Sequence, residues 1–455
     1  MKLQRRRLLN LGLGAALLPG PGSAQDQDGT ARLVNGPMLG APSPDALNVW
    51  VQGSEALEAT LEVQRFAATD APVHSAPLRL AAGDDYCGVL RVAGLEPDTE
   101  YFYRVLIDGA PDPYLDTVRP LVRTAPRPGE TCAFTLALGS CACLAMDAQQ
   151  PIWHAVLGLR PDLFLWLGDN IYGDSLLPDT LNHEYRHQRA VPAFQPLGRS
   201  VPQFSIWDDH DYGLNDHDAS NPIKEDALRL FKRYWANPSY GLDDVPGVFY
   251  KQAYGAVDIF CLDCRYWRAP NKQPSTPTKT LLGQRQLAWL QQELKASTAV
   301  FKLLACGSGW SMARGEGGDS WASFRHERDA LFDFIRDEGI TGVVLTSGDT
   351  HMGELNVIPW SARGGYDFYD LVTSPLAQPP STDWEARQPE QRIRRPHTTS
   401  NNFGWLRFEF EPEPRLVFSV VDPAGRFCWE PFTLSASQLR NGQESWRALA
   451  DPRLL

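Results

Sequence analysis

The order of apolar and polar positions divides the chain into two stretches of different rhythm. Between about Ala31 and Thr124, short alternating runs recur at Asn48–Gln52, Ala59–Arg65, Gly88–Val92 and Glu100–Ile107, with Pro, Gly and Asp turns between them. Period-two alternation bounded by such turns predicts strands with one buried face. Residues 31–124 therefore read as an all-β sandwich. Ala125–Glu130, with two prolines, reads as a linker.

From residue 131 the pattern becomes strands followed by helices. Phe134–Leu138, Leu163–Leu167, Phe204–Trp207, Val257–Leu262, Phe301–Ala305 and Gly342–Thr346 are apolar runs of strand length. Trp153–Leu159, Asp226–Trp235, Leu282–Leu294 and Arg328–Glu338 have helical spacing, with Leu287, Leu290 and Leu294 on one face. Trp405–Phe410 and Leu416–Val421 read as a closing hairpin. The expectation is a layered α/β domain with mixed sheets over 131–435 and a C-terminal tail over 436–455. In the first stretch, Gly94–Tyr101 resembles the turn entering a late strand of a fibronectin-III-like sandwich.

Composition changes this picture in three places. The formal net charge of −12 argues against a nucleic-acid-binding surface, and it means that any phosphate-handling site needs local positive charge from metal or arginine. Met1–Ala24 combines Arg5, Arg6 and Arg7 with the apolar run Leu8–Leu18 and a small-residue end. It reads as a cleavable export signal, too short to span a membrane and resembling a twin-arginine signal. The expected product is a periplasmic or secreted monomer delivered by the twin-arginine machinery, without a stable membrane span. Eight cysteines are too sparse for a disulfide scaffold. Cys132, Cys261 and Cys306 read as buried thiols, whereas Cys141 follows a strand and is placed for metal. That export route carries folded proteins, consistent with metal loading before export.

Four apolar strands end in loops with metal-capable side chains, and in layered α/β folds ligands gather where the carboxyl ends of strands meet. Gly168-Asp169-Asn170-Ile171-Tyr172 offers a carboxylate and a phenol. Trp207-Asp208-Asp209-His210-Asp211 packs three carboxylates and an imidazole into four positions, which repel unless cations hold them. Gly348-Asp349-Thr350-His351 repeats the logic, and Cys141 adds a soft thiolate. Carboxylate, phenolate, thiolate and imidazole together suit trivalent iron better than zinc or magnesium alone. His183 and His187, without a strand-end setting, read as a solvated helix face.

These motifs, in this order, resemble the alkaline phosphatase D family, a relative of the purple acid and calcineurin-like phosphatases. Gly139-Ser140-Cys141, Gly168-Asp169 with Ile171-Tyr172, Trp207-Asp208-Asp209-His210, Gly348-Asp349 with His351, and Leu262–Arg268 carry the resemblance. It implies Fe(3+) held by Cys141, Asp169, Tyr172 and His351, with Asp169 bridging to a divalent ion, expected to be Ca(2+), and Asp209 and Asp349 as further ligands. It also implies that His210 protonates the leaving group, that Arg265 contacts the phosphate, and that Asn215 touches metal or phosphate. The expected reaction is hydrolysis of small-molecule or polymeric phosphate esters, diesters or monoesters, by a metal-bound hydroxide. Two other readings stay open: another ester hydrolysis at the same centre, such as of sulfate esters or lactones, and a non-catalytic metal-binding or adhesion protein. No Gly-rich phosphate cradle is present, which weighs against nucleotide-triphosphate chemistry of the P-loop kind.

Overall fold

Strand-forming alternation in the first stretch yields two antiparallel sheets that enclose their own core. The computed structural model describes residues 31–69, 71–112 and 119–455, so the export-signal reading of Met1–Ala24 lies outside the described residues. One sheet orders the strands Leu33–Leu39, Ala46–Gly53 and Cys87–Ala93; the other is built around Glu58–Arg65 paired with Glu100–Ile107. Val49, Val51, Leu61, Val63, Leu90 and Tyr103 fill the space between them. This is the expected alternation, with every second residue turned inward.

The second stretch forms two larger sheets. One runs Gln203–Ile206, Leu163–Leu167, Phe134–Gly139, Phe403–Glu409, Arg415–Val421 and Phe432–Ser435. Its first three strands are parallel and the rest antiparallel; the predicted hairpin forms, but Phe432–Ser435 pairs beyond it at the edge. The other runs Tyr250–Tyr254, Val257–Cys261, Phe301–Cys306, Val343–Ser347, Phe368–Val372, Glu354–Ile358 and Gln391–Arg392. Strands buried on both faces read as unbroken apolar runs, which is why Leu163–Leu167 and Val343–Ser347 are wholly buried. The predicted helices form as Ile152–Leu159, Lys224–Tyr234, Gln284–Ala296 and Arg325–Asp337. Among the described residues, no helix is long and apolar enough to cross a membrane.

Residues 436–455, read as a tail, instead belong to the main core. Leu439, Trp446 and Ala450 are buried in it, and Asp367 accepts hydrogen bonds from the backbone of Ser445 (2.8 Å) and Trp446 (3.2 Å). Sparse apolar positions hid this: one tryptophan on a single helical turn is enough to anchor the segment.

The N-terminal domain docks through Trp50, which joins the core of the larger domain rather than its own. Its indole donates to the Arg233 carbonyl (2.8 Å) and packs on Tyr234, beside the Arg189 guanidinium. Asp85 closes the contact by accepting from Tyr234 Oη (2.7 Å) and from Arg186. Trp50→Ala is expected to lower the unfolding free energy by about 3–5 kcal/mol in denaturant titration. A loss under about 1 kcal/mol would mean that this contact does not couple the two domains.

One face of the seven-stranded sheet carries an unusual polar group: Glu354 and Asn356 on one strand, with Asp370 opposite Asn356 on the next. Asp370 accepts from Ser347 Oγ (2.9 Å) and the Trp310 amide (3.1 Å), yet burial pushes its carboxyl up to about 7. A carboxyl with a raised folded pKa keeps its proton in the native state while the unfolded chain loses it near pH 4. Stability contributed there is therefore present in acid and lost as pH rises from about 4 towards 7. Subtracting the pH–stability curve of Asp370→Asn from that of the wild type should give a downward slope over this window. A flat difference would place the Asp370 pKa near its ordinary value.

Candidate metal centre and active site

Both sheets of the larger domain bring parallel strand ends to one place. Phe134–Gly139 delivers Cys141, Leu163–Leu167 delivers Asp169, and Gln203–Ile206 delivers Asp208 and Asp209. Val257–Cys261 delivers Arg265 from the second sheet, and Val343–Ser347 delivers Asp349 and His351. Glycine permits the approach. A Cβ on Gly348 would lie 2.5 Å from Ser140 Oγ and 3.0 Å from the Leu167 carbonyl, at the seam between the sheets. Gly168, at φ +94°, would set a Cβ 2.7 Å from that of Asp208.

The backbone at the site is strained where the chemistry sits. Cys141, Asp169, Asp349 and His351 have φ of 62°, 50°, 65° and 56°. Non-glycine residues in this left-handed region cost about 1 kcal/mol or more each, and persist only where the surroundings dictate them. Here the strand-end turns aim four side chains inward that an ordinary turn would scatter.

Among the described residues, three overlapping groups of ligand atoms result, each with its atoms within 4.8 Å of one another: Cys141, Asp169 and His351; Asp169, Asp209 and His210; and Asp209, Asp216 and Asp319. Asp169 belongs to the first two and Asp209 to the last two, so the groups form a chain. Tyr172 adjoins the first, with its hydroxyl 3.5 Å from Asp169 Oδ2 and 3.4 Å from His351 Nε2. Asp169 Oδ1, Asp208 Oδ2 and Asp209 Oδ1 are buried without a hydrogen-bond partner. Buried carboxylate oxygens cost free energy unless a cation or donor meets them, so this donor set fits a bound metal.

The electrostatics split the centre into two halves. Burial pushes the Cys141 thiol up to about 11, and the nearby Asp349 charge adds to it. Burial, with the neighbouring Cys141, likewise drives Asp169 and Tyr172 well above their ordinary ranges. In the other half, burial opposes ionisation of Asp209 and Asp319 too, but Arg265 outweighs it and holds both below the usual carboxylate range. Between the halves stands His210, its ring stacked on Tyr172 at 4.1 Å and its Nδ1 2.7 Å from Asp174 Oδ1. Burial disfavours its charge, but Asp169, Asp174 and Asp209 together raise it to about 10.

Most expected residues converge, but three are placed otherwise. Arg265 is fully buried: its Nε bonds Asp208, its Nη2 lies 2.5 Å from Asp319 Oδ2, and its Nη1 lies 3.2 Å from Asp319 Oδ1. Its charge is thus committed to carboxylates and faces no open space. Asp349 lies outside the three groups and pairs instead with Arg314, whose Nη2 is 2.9 Å from its carboxylate. Asn215 is exposed in the loop before Asp216, whose amide donates to Asp209 Oδ2 (2.7 Å). Asp208 and Asp211 are structural supports. Asp211 accepts from the amides of Asn170 and Asp208 (both 3.1 Å) and from Tyr185 Oη (3.0 Å). Cys143 is buried and belongs to none of the three groups.

Sequence reasoning missed Asp319, Arg314, Asp174 and Asp216. Asp319 also binds Arg268 and accepts from Asn271 Nδ2 (2.8 Å), so it ties the loop after residue 306 to the site. Its only signal was an aspartate in a glycine-rich loop. Asp174 stood two residues past Tyr172, close enough to be weighed as a partner for the loop's histidine.

Comparison with known proteins bears on the family and the fold. Residues 136–414 match the family described as PhoD-like phosphatase, and residues 30–116 match a domain of unknown function, DUF7800. The chain is 26% identical over 326 residues to alkaline phosphatase D of Bacillus subtilis (strain 168), an alignment covering 60% of this chain. It spans about half, 54%, of that relative's length. Its fold is similar to a solved structure of PhoD, with a TM-score of 0.72 at 17% identity over 86% of this chain and 91% of that one. It is also similar to purple acid phosphatase PPD1 from yellow lupin (Lupinus luteus) seeds, with a TM-score of 0.61 at 12% identity over 91% of this chain and 75% of that one. With the family match covering most of the larger domain and its motifs converging on one centre, the chain belongs to the PhoD-like phosphatase family.

Proposed function

We propose that the protein hydrolyses phosphate esters at a centre holding iron and a divalent cation. The observation that carries this reading is the chain of ligand groups linked through the buried Asp169 and Asp209, whose Oδ1 atoms lack hydrogen-bond partners among the described residues. Cys141, Asp169, Tyr172 and His351 would hold Fe(3+), since thiolate and phenolate at these raised pKa values form only against a strong Lewis acid. Asp169 and Asp209 would hold the divalent ion, with all-oxygen groups such as Asp209, Asp216 and Asp319 favouring Ca(2+). Asp349 would complete this half while keeping its Oδ1 on Arg314. When bound, the two cations would activate water as the nucleophile and neutralise charge on the phosphate oxygens.

The chain's own residues supply the rest. His210 keeps its Nδ1 on Asp174, which leaves Nε2 to give a proton to the departing alkoxide. Asp211 and Asp263 fix the loops on either side. Asp263 accepts from the amides of Arg265 (2.9 Å), Tyr266 (3.0 Å) and Val248 (2.9 Å), and so holds Arg265 where it meets Asp208 and Asp319. Asn215 would meet substrate, a reading that its exposure beside Asp216 supports. The reading takes in the expected export by the twin-arginine route as a monomer. The two-sheet N-terminal domain supports its fibronectin-III-like assignment.

The test is metal analysis of the full chain with visible absorption and assays on p-nitrophenyl phosphate and bis-p-nitrophenyl phosphate. Wild type should carry iron and calcium, absorb in the visible and hydrolyse at least one ester. Asp169→Asn should lose iron and at least about a thousandfold in kcat, because it removes the group shared by both halves. A metal-loaded, active Asp169→Asn protein would refute the assignment.

A further inference from the structure

A phosphate ester is an anion, and the centre described above is crowded with carboxylates, so a protein cation must face its open side. Arg265 cannot be that cation because it is enclosed and each of its nitrogens is engaged. Arg314 differs on each point. Its side chain is 27% exposed, and only its Nη2 bonds the protein, to the carboxylate (2.9 Å) and the carbonyl (3.2 Å) of Asp349. Among the described residues its Nε has no partner, and its Nη1 donates no hydrogen bond. Asp349 stands two residues before His351, so this guanidinium borders the metal-binding groups directly.

Its backbone is also prepared. Ser311 Oγ caps the single turn Met312–Arg314 by accepting from the Ala313 amide, and the Met312 amide donates to Glu390 (2.9 Å). Beyond Arg314, Gly315 and Gly317 at φ +71° and +84° let the loop turn back towards Asp319. Behind Arg314 lies a small cavity shared with Thr350, Asp370 and Glu354. Glu354 is 1% exposed, neither carboxylate oxygen has a hydrogen-bond partner among the described residues, and the charges of Arg387 and Arg392 reach it as well as that of Arg314. One carboxylate thus holds the guanidinium at its Nη2 edge and a second faces the cavity it lines, while the Nη1 edge is left open.

We infer that Arg314 is the residue that binds a phosphate oxygen of the substrate through Nη1, and that Glu354 is the positioning residue that steadies it. This rests on the phosphoester reading, and orthophosphate is the probe that separates the two. Calorimetric binding of orthophosphate would be measured on the full chain reconstituted with iron and calcium, as wild type, R314A, R314Q, E354Q and R314Q/E354Q, with metal content determined for each. R314A and R314Q should keep their metal and weaken orthophosphate about tenfold or more, the loss of one charge-assisted bond. E354Q should weaken it less and add nothing to R314Q, because it acts only through Arg314.

Binding of R314Q within about twofold of wild type would overturn the inference, as would effects of E354Q and R314Q that simply add. R314Q keeps a hydrogen-bond donor for Asp349, so it decides the matter if R314A sheds its metal. Metal loss by both would make Arg314 a counter-charge for Asp349 and overturn the phosphate role. A wild type that hydrolyses esters while R314Q binds orthophosphate normally removes this inference alone. Arginine-dependent orthophosphate binding without any hydrolysis removes the catalytic reading and leaves this one standing.

Discussion

Unbalanced negative charge in a buried place is the constraint around which this molecule is organised. Asp169, Asp208, Asp209 and Asp319 are buried, with Asp349 partly covered beside them. Arg265 bridges Asp208, Asp209 and Asp319, Arg268 adds a second contact to Asp319, and Arg314 holds Asp349. Asp169 is bonded by no arginine among the described residues: a thiol and a phenol lie against its carboxylate, and the His210 ring is the cation near it. Taking carboxylates out of water without a counter-ion is among the costliest things a fold can do. The scaffold bears this cost at the one point where both sheets end, which is where a cation would offset it.

The rest of the architecture can be understood as what such a point requires. Parallel strands from both sheets must terminate together, so the seam is closed by Gly348 against Ser140 and by Gly168 against Asp208, where no larger residue fits. The side chains must then turn inward from their strand ends, which puts Cys141, Asp169, Asp349 and His351 into left-handed backbone. Strain of this sort survives only if packing elsewhere is secure. Wholly buried strands beneath the site and the Trp50 anchor from the N-terminal domain provide that security.

How much of this was legible follows from where each residue sits in the chain. Cys141, Asp169, Tyr172, Asp209 and His351 could be found because each follows an apolar strand, and strand ends converge in layered α/β folds. Arg314 and Asp319 lie well beyond the end of Phe301–Cys306, and Asp174 stands past Tyr172 in its loop, so their types were visible but their destination was not. Arg265 shows the converse: the resemblance implied a phosphate contact for this strand-end arginine, while the sequence could not say that Asp319 would arrive to enclose it. Burial depends on which loops fold over a residue, and that is a long-range property. The same holds for residues 436–455, whose attachment through Trp446 depends on Asp367 presenting its carboxylate to two amides.

The two halves of the centre differ in what they ask of an ion. Arg265 holds Asp209 and Asp319 below the usual carboxylate range, so a hard divalent cation would displace fewer protons there than in the other half. Cys141, Asp169 and Tyr172 hold their protons tightly because burial and their mutual proximity oppose each further charge. A metal entering that half must drive several protons off at once, and its affinity must rise steeply with pH. Only an ion with strong Lewis acidity gains enough from thiolate, carboxylate and phenolate together to do so. An arginine on one side and its absence on the other therefore make one continuous cluster into two unlike sites. Asp169, the residue common to the proton-holding half and the His210 group, is where ions in the two halves would meet.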